Sequence, residues 1–152
     1  MRLFPLFLRS SIEWATPPGL LNRLSEEFGF DDDPCPPGAL DGLARPWGRR
    51  VFCNPPYSRT AEFLEKGCVE IAAGRTDVAV FLIPARTDTG WFHEIALPYG
   101  EIRFVRGRVP FERIGSRSEE RSRSPFPSMV VILRPRRAST LGYPAPKATD
   151  LA

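Results

Sequence analysis

Asn54-Pro55-Pro56-Tyr57 is the stretch in which residue type and spacing together suit a chemical task. It follows a short apolar run, Val51-Phe52-Cys53, and halts it with an amide, two prolines and an aromatic ring. Neither proline has a backbone N–H to give a sheet ladder, so the run reads as the end of a buried strand. Asn54 and Tyr57 then lie just past its carboxyl end, which is where open α/β sheets bind ligands. The group that suits these side chains is a planar amine conjugated to a ring. Such an amine is a poor nucleophile, because its lone pair is spread into the ring. The Asn54 side-chain oxygen and the Pro55 carbonyl would accept its two hydrogens. That draws the nitrogen towards tetrahedral geometry and aims its lone pair at an incoming methyl group. Tyr57 would stack on the ring. No strong base is required, since the amine becomes acidic only as the new bond forms. As a turn alone, Asn54 would cap and Tyr57 would cover core.

The elements that must position this turn are readable on both sides. Residues 58–73 show Phe63/Leu64, Cys68 and Ile71/Ala72 at helical spacing, with Gly74 at the position just past the helix end. Val78 to Ile83 is a continuous apolar run closed by Pro84, which predicts a buried parallel strand. Strand, helix and strand in this order form a βαβ unit. The polar loop 84–90 emerges at the same sheet edge as Asn54 and leads to a short helix over about 91–97, with Asp88 or Thr89 as cap. His93, the lone histidine, reads as structural. Glu101 to Val105 and Met129 to Leu133 predict an antiparallel pair at a sheet edge.

Upstream, Thr16 is a suitable helix N-cap with Pro17 at the first helical position, and Leu20, Leu21, Leu24 and Phe28 mark one face of a helix ended by Gly29. On spacing alone, Trp14 and Thr16 read as a core anchor and a cap. A short strand ending in Asp31-Asp32-Asp33 follows, before Pro34-Cys35-Pro36-Pro37. A carboxylate there suits a cofactor with a cationic amine and ribose hydroxyls, and a solvated acidic loop is the plainer reading. Asp41, before Gly42, either accepts from an adenine amine or belongs to an Asp-Gly turn.

Composition sets the outer bounds. The chain has 152 residues, 42% of them hydrophobic, which fits one globular domain. From Arg103 to Arg137 there are ten arginines against three acids, while the remainder is net −4. A basic C-terminal third on an acidic body suits an anionic polymer such as nucleic acid. The long polar segment 112–124 is expected to be disordered or ordered by a partner. Three cysteines without a Cys-x-x-Cys pair, beside one histidine, indicate neither a zinc site nor a disulfide framework, and fit a reduced cytoplasm. The start, Met1 to Arg9, is too short and too interrupted by Pro5 for a membrane span or a signal peptide. Residues 1–12 read as an arm, 13–134 as the domain and 135–152 as a disordered tail.

A string of motifs in order resembles the small phage-type Dam family of DNA adenine-N6-methyltransferases. They are Trp14-x-Thr16-Pro17, Phe28-Gly29-Phe30 with Asp33, Asp41-Gly42-Leu43 with Trp47, and Cys53-Asn54-Pro55-Pro56-Tyr57-Ser58. Further on come Leu82-x-Pro84-Ala85-x-Thr87-Asp88-Thr89-x-Trp91-Phe92-His93, Ile102-Arg103-Phe104-x-x-Gly107-Arg108-x-x-Phe111, and Pro127-Ser128 before a last apolar strand. The resemblance implies a reduced Rossmann-like sheet with an antiparallel edge pair, S-adenosylmethionine as cofactor and DNA as partner, in a bacterial or phage-infected cell. It implies that Asn54, Pro55, Pro56 and Tyr57 hold the target adenine, which must be flipped from the duplex. Trp14, Thr16 and Pro17 would bind the methionine end, Asp33 and Asp41 the rest of the cofactor. Thr87, Asp88 and Arg108 are placed only near the site. Arg106, Arg108, Arg113, Arg117, Arg121 and Arg123 would contact the DNA backbone. The chain departs from full methyltransferases in lacking a glycine-rich Phe-x-Gly-x-Gly loop and in the twenty residues between Asp33 and Asn54, too few for two further strand–helix units. The tetrapeptide itself is shared with enzymes acting on guanine and on protein glutamine. An RNA or protein substrate, or a non-catalytic nucleic-acid-binding remnant, are therefore the alternatives.

Overall fold

The structure, a computed structural model, describes residues 14–36, 41–113 and 121–136. The proposed arm 1–12, most of the tail (137–152) and residues 114–120, with Arg117, lie outside the described residues. A four-stranded mixed sheet forms the centre, built from β2 (Arg50–Cys53), β3 (Val78–Pro84), β4 (Gly100–Phe104) and β7 (Ser128–Leu133) in the order β2-β3-β7-β4. β2 and β3 are parallel, Val51 beside Ala79 and Cys53 beside Phe81. β7 runs antiparallel to both of its neighbours. The expected pair β4/β7 is present, but only β4 is an edge, because β7 is inserted between β4 and β3. Every residue of β3 and β7 is buried, as their unbroken apolar sequences require of strands covered on both faces.

Alternation of side chains divides the core in two. Val51, Cys53, Phe81, Ile83, Met129 and Val131 face α2 (Thr60–Ala72) through Phe63 and Leu64. Phe52, Val80, Leu82, Val130 and Ile132 face α1 (Pro18–Phe28) through Leu24 and Phe28. Gly67 lets α2 lie close to the sheet, since a Cβ there would meet the Phe81 ring at 2.8 Å. Gly29 ends α1 in the left-handed conformation at φ 61°, its N–H bonded to Ser25 O at 2.8 Å.

Four expectations are corrected. α1 begins at Pro18 with Pro17 as its cap residue, and Thr16 makes no cap bond. The acidic strand shrinks to one parallel bridge, Asp32 to Val51; Pro34 has no N–H with which to extend it. Part of the polar segment 112–124 is strand: β5 (Pro110–Arg113) and β6 (Arg121–Arg123) pair antiparallel, and β1 (Trp14–Ala15) joins the other side of β5. The short helix after β3 is a wide π turn, Phe92–Ala96, running into α3 (Leu97–Tyr99). Neither Asp88 nor Thr89 caps that turn, and the Thr89 hydroxyl donates to Arg86 O at 2.8 Å. His93 Nε2 lies 2.7 Å from Thr87 O, a backbone contact in keeping with a structural role. Among the described residues no helix is long and apolar enough to cross a membrane.

Candidate active site

The sheet ends unevenly, and the site sits in the step. Cys53 is the last residue of β2, beside Phe81, whereas β3 continues to Pro84. The chain turns away from the sheet at Asn54, with Pro55 buried and Tyr57 42% exposed. A single-turn 3-10 helix, Tyr57–Arg59, then feeds directly into α2, with Arg59 N donating to Pro56 O at 2.9 Å and Thr60 Oγ1 to Tyr57 O at 3.0 Å. Two prolines and these bonds hold the four residues in one backbone shape.

Two side chains from distant elements meet this turn. Thr16 Oγ1 accepts a hydrogen bond from Asn54 Nδ2 at 3.3 Å. The Phe126 ring meets Tyr57 edge-on, with centroids 6.0 Å apart and planes at 75°. Arg86 lies over the Phe126 ring at 5.3 Å. Phe126 is brought there because Ala85 N donates to Pro127 O at 2.8 Å, which joins the loop after β3 to the loop before β7. Phe126 and Arg86 escape a reading of the sequence. The only signal is Phe126-Pro127-Ser128 directly before the last strand, a pattern that a turn explains equally well.

The acidic loop forms the neighbouring wall. The Asp32–Val51 bridge lays Asp33 alongside the end of β2. Asp33 is half-buried, and its Oδ1 accepts from Cys35 N at 3.0 Å. Asp32 receives a bidentate pair from Arg45, both bonds 2.9 Å, and a bond from Gly48 N at 2.8 Å. Arg45 also donates to Asp33 O at 3.2 Å. Asp41 is exposed on a 3-10 turn, its carboxylate 3.9 Å from Arg45. That turn abuts the acidic loop so closely that a Cβ on Gly42 would collide with Pro34 O. Trp47 pegs the turn from inside, its Nε1 donating to Gly42 O at 2.7 Å. Arg45 thus ties both acidic segments together, another role the sequence hides.

Electrostatics separate bystanders from candidates. The Cys53 thiol, directly behind Asn54, is fully buried; burial first, then its bond with Cys35 and the charges of Asp33 and Asp32, push it well above the ordinary thiol range. It stays protonated and is no nucleophile. Arg45 is held more firmly charged by its bonds to Asp32.

The remaining expected residues fall as follows. Trp14 lies in β1 opposite Arg113, and Pro17 starts α1 through its carbonyl. Thr87 and Asp88 are exposed on the loop after β3. Arg106 and Arg108 are exposed on the turn between β4 and β5, where Gly107 has φ 75° and Arg108 donates to Pro125 O. Arg113, Arg121 and Arg123 lie on the β5/β6 hairpin. β1 connects that hairpin to Thr16, and so to Asn54.

An amide, two prolines and an aromatic stand at the carboxyl edge of a mixed α/β sheet, beside an acidic loop, an arrangement consistent with a methyltransferase-like fold. The model of one family, described as DNA N-6-adenine-methyltransferase (Dam), matches residues 9–148. The match takes in nearly the whole chain, and the protein belongs to this family of DNA adenine methyltransferases. No curated protein matches the chain.

Proposed function

We propose that the protein transfers a methyl group from S-adenosylmethionine to the exocyclic amine of an adenine flipped out of DNA, at a defined recognition site. The observation that carries this is Asn54-Pro55-Pro56-Tyr57 at the end of β2, in a chain matched by the family over residues 9–148. An adenine amine is paired inside the duplex, so the base must leave the stack to reach the turn. Asn54 Oδ1 and the Pro55 carbonyl accept its two hydrogens and hold its lone pair out of conjugation. Tyr57 and Phe126, set at 75° to each other, offer one ring to the base face and one to its edge. Once methylated, the amine is strongly acidic and loses its surplus proton to water.

The donor set fits the cofactor. Asp33 is a half-buried carboxylate at the strand's carboxyl end, suited to ribose hydroxyls, and Asp41 stands on the adjoining turn, suited to an adenine amine. The bond of Thr16 to Asn54 brings its neighbours Trp14 and Pro17 towards the same edge, where they would meet the methionine end. When bound, S-adenosylmethionine supplies the methyl group as an electrophilic sulfonium. Arg106, Arg108, Arg113, Arg117, Arg121 and Arg123 neutralise phosphates, so binding weakens as salt rises.

The test is transfer of labelled methyl from S-adenosylmethionine to unmethylated DNA, followed by digestion to nucleosides. N6-methyladenine is expected, and it is expected to vanish in Asn54→Ala. Transfer that survives Asn54→Ala sinks the mechanism. The small sheet, with a single bridge beyond β2, favours one second reading, a DNA-binding remnant. That reading predicts DNA binding without thermal stabilisation by S-adenosylmethionine. Label that enters RNA or protein in preference to DNA would reassign the substrate.

A further inference from the structure

Thr16 stands just before α1, where a threonine ordinarily caps, yet its side chain caps nothing. Its Oγ1 instead accepts from Asn54 Nδ2 at 3.3 Å, across 38 positions of sequence. The hydroxyl is placed from both sides. Upstream, Trp14 and Ala15 are paired with Arg113 and Glu112. Downstream, Pro17 and Pro18 have fixed φ, and Pro17 O receives Leu21 N at 3.1 Å to start the helix.

A primary amide can turn over about its last torsion and exchange oxygen for nitrogen with almost no change of shape. Only one of the two orientations shows an acceptor to an amine; the other sets donor against donor. Among the described residues the hydrogen bond to the Asn54 side chain is the one from Nδ2 to Thr16 Oγ1, which anchors the amide and leaves Oδ1 open. In the productive orientation the NH2 group faces Thr16. A hydroxyl there satisfies one of its hydrogens while Oδ1 serves the substrate amine, whereas a methyl leaves that hydrogen unpaired and the amide unanchored.

We propose that Thr16 is a positioning residue that holds the Asn54 amide with Oδ1 presented to the substrate amine, a role that rests on the proposed reading of Asn54 as the amine acceptor. This differs from holding the methionine end of the cofactor, and the two roles separate experimentally. Thr16→Val is expected to lower kcat about tenfold while leaving S-adenosylmethionine affinity, measured by calorimetry, within about twofold. Thr16→Ser is expected to restore kcat.

A second readout needs no turnover. In the 15N-labelled wild-type chain, one Asn54 side-chain amide proton is expected to exchange with water more slowly than its geminal partner. Thr16→Val is expected to remove the difference and Thr16→Ser to keep it. Unchanged kcat in Thr16→Val, or a loss confined to cofactor affinity, overturns the proposal. So do equal exchange rates for the two protons in the wild type, which also decides the matter where Thr16→Val does not fold. Absence of any methyl transfer by the wild type defeats the proposed function instead, and the exchange rates alone then decide the role of Thr16.

Discussion

The two polar centres attached to α2 are built on opposite plans. At its start, the Asn54 side chain is half-buried and makes, among the described residues, one side-chain hydrogen bond, at 3.3 Å to Thr16, while Tyr57 is left 42% exposed. Near its end, Glu70 is wholly buried and saturated. Its carboxylate accepts from Arg75 at 2.6 and 3.0 Å, from Lys66 at 2.7 Å and from Trp47 N at 3.2 Å. Arg75 foremost, with Lys66 and the Trp47 amide, holds its pKa down at about 2 against the opposing effect of burial. A carboxylate with every acceptor position occupied is a structural pin, which here clamps the Trp47 loop to the helix. The Asn54 amide oxygen, by contrast, accepts from no donor among the described residues and is open to a ligand. Residue type alone would have ranked the two the other way.

Asn54→Ala breaks the comparison at its larger end. Loss of an acceptor aimed at the reacting group costs about 10²–10³ in kcat, so methyl incorporation is expected to fall to near background. The melting temperature is expected to stay within about 2 °C, because one long side-chain bond contributes little. Equal losses of activity and stability would mean that the turn is a structural feature like Glu70.

Glu70→Ala gives the reverse pattern. It strands the Trp47 amide and leaves a hole beneath the loop, at an expected cost of about 2 kcal/mol in urea unfolding. Arg75 and Lys66 reach solvent, which keeps the loss below that of a fully buried pair. Specific activity of the folded fraction is expected to be unchanged. The pH dependence follows from the lowered pKa. The Glu70 contribution is complete above its ordinary value of 4.5 and is lost as pH falls towards about 2. The stability gap between wild type and Glu70→Gln should therefore be flat at neutral pH and close across that acid interval. A gap that instead widened on acidification would contradict a carboxylate held ionised by Arg75.

Local signals made much of this architecture legible from sequence, and non-local ones concealed the rest. Gly29, Gly74 and Pro84 ended elements where expected, and the apolar run 78–83 announced the central strand. Asn54 and Tyr57 stand at the strand end because Pro55 and Pro56 can only leave a sheet. What stayed hidden depends on partners far away in sequence. The hydroxyl of Thr16 serves an amide 38 residues on rather than its own helix. β1 is two residues long and exists only because β5 lies beside it. The arginines and serines of 110–123 carry no strand pattern, yet cross-strand pairing orders both ends of that segment. Phe126 reaches Tyr57 only because the loop after β3 is tied to Pro127.

Phe126→Ala sharpens the view of the open centre. Phe126 is half-buried and contributes a ring edge to the turn without bonding to it. Base–aromatic contacts of this kind are worth about 1 kcal/mol. An approximately fivefold drop in kcat/KM on DNA is expected, with S-adenosylmethionine affinity unchanged. An effect on cofactor binding instead would move Phe126 from the base to the other side of the site.

The smallest effect is expected at a third charged centre, which has one ion more than Glu70's and none of its burial. Arg103 bridges Glu27 and Glu101, and Arg134 shares Glu101, in four contacts of 2.8 Å. All four side chains are 40–47% exposed. Water screens these charges and already solvates them in the unfolded chain, so close geometry adds little stability. Arg103 and Arg134 also stand over the Phe28 ring, which keeps their stems packed whatever happens to the carboxylates. Glu101→Gln therefore leaves both arginines in place and is expected to shift the melting temperature by no more than about 2 °C, and less in roughly 0.5 M salt. A shift as large as that of Glu70→Ala would show that the count of ion pairs, and not their enclosure, sets the strength of a charged centre in this fold.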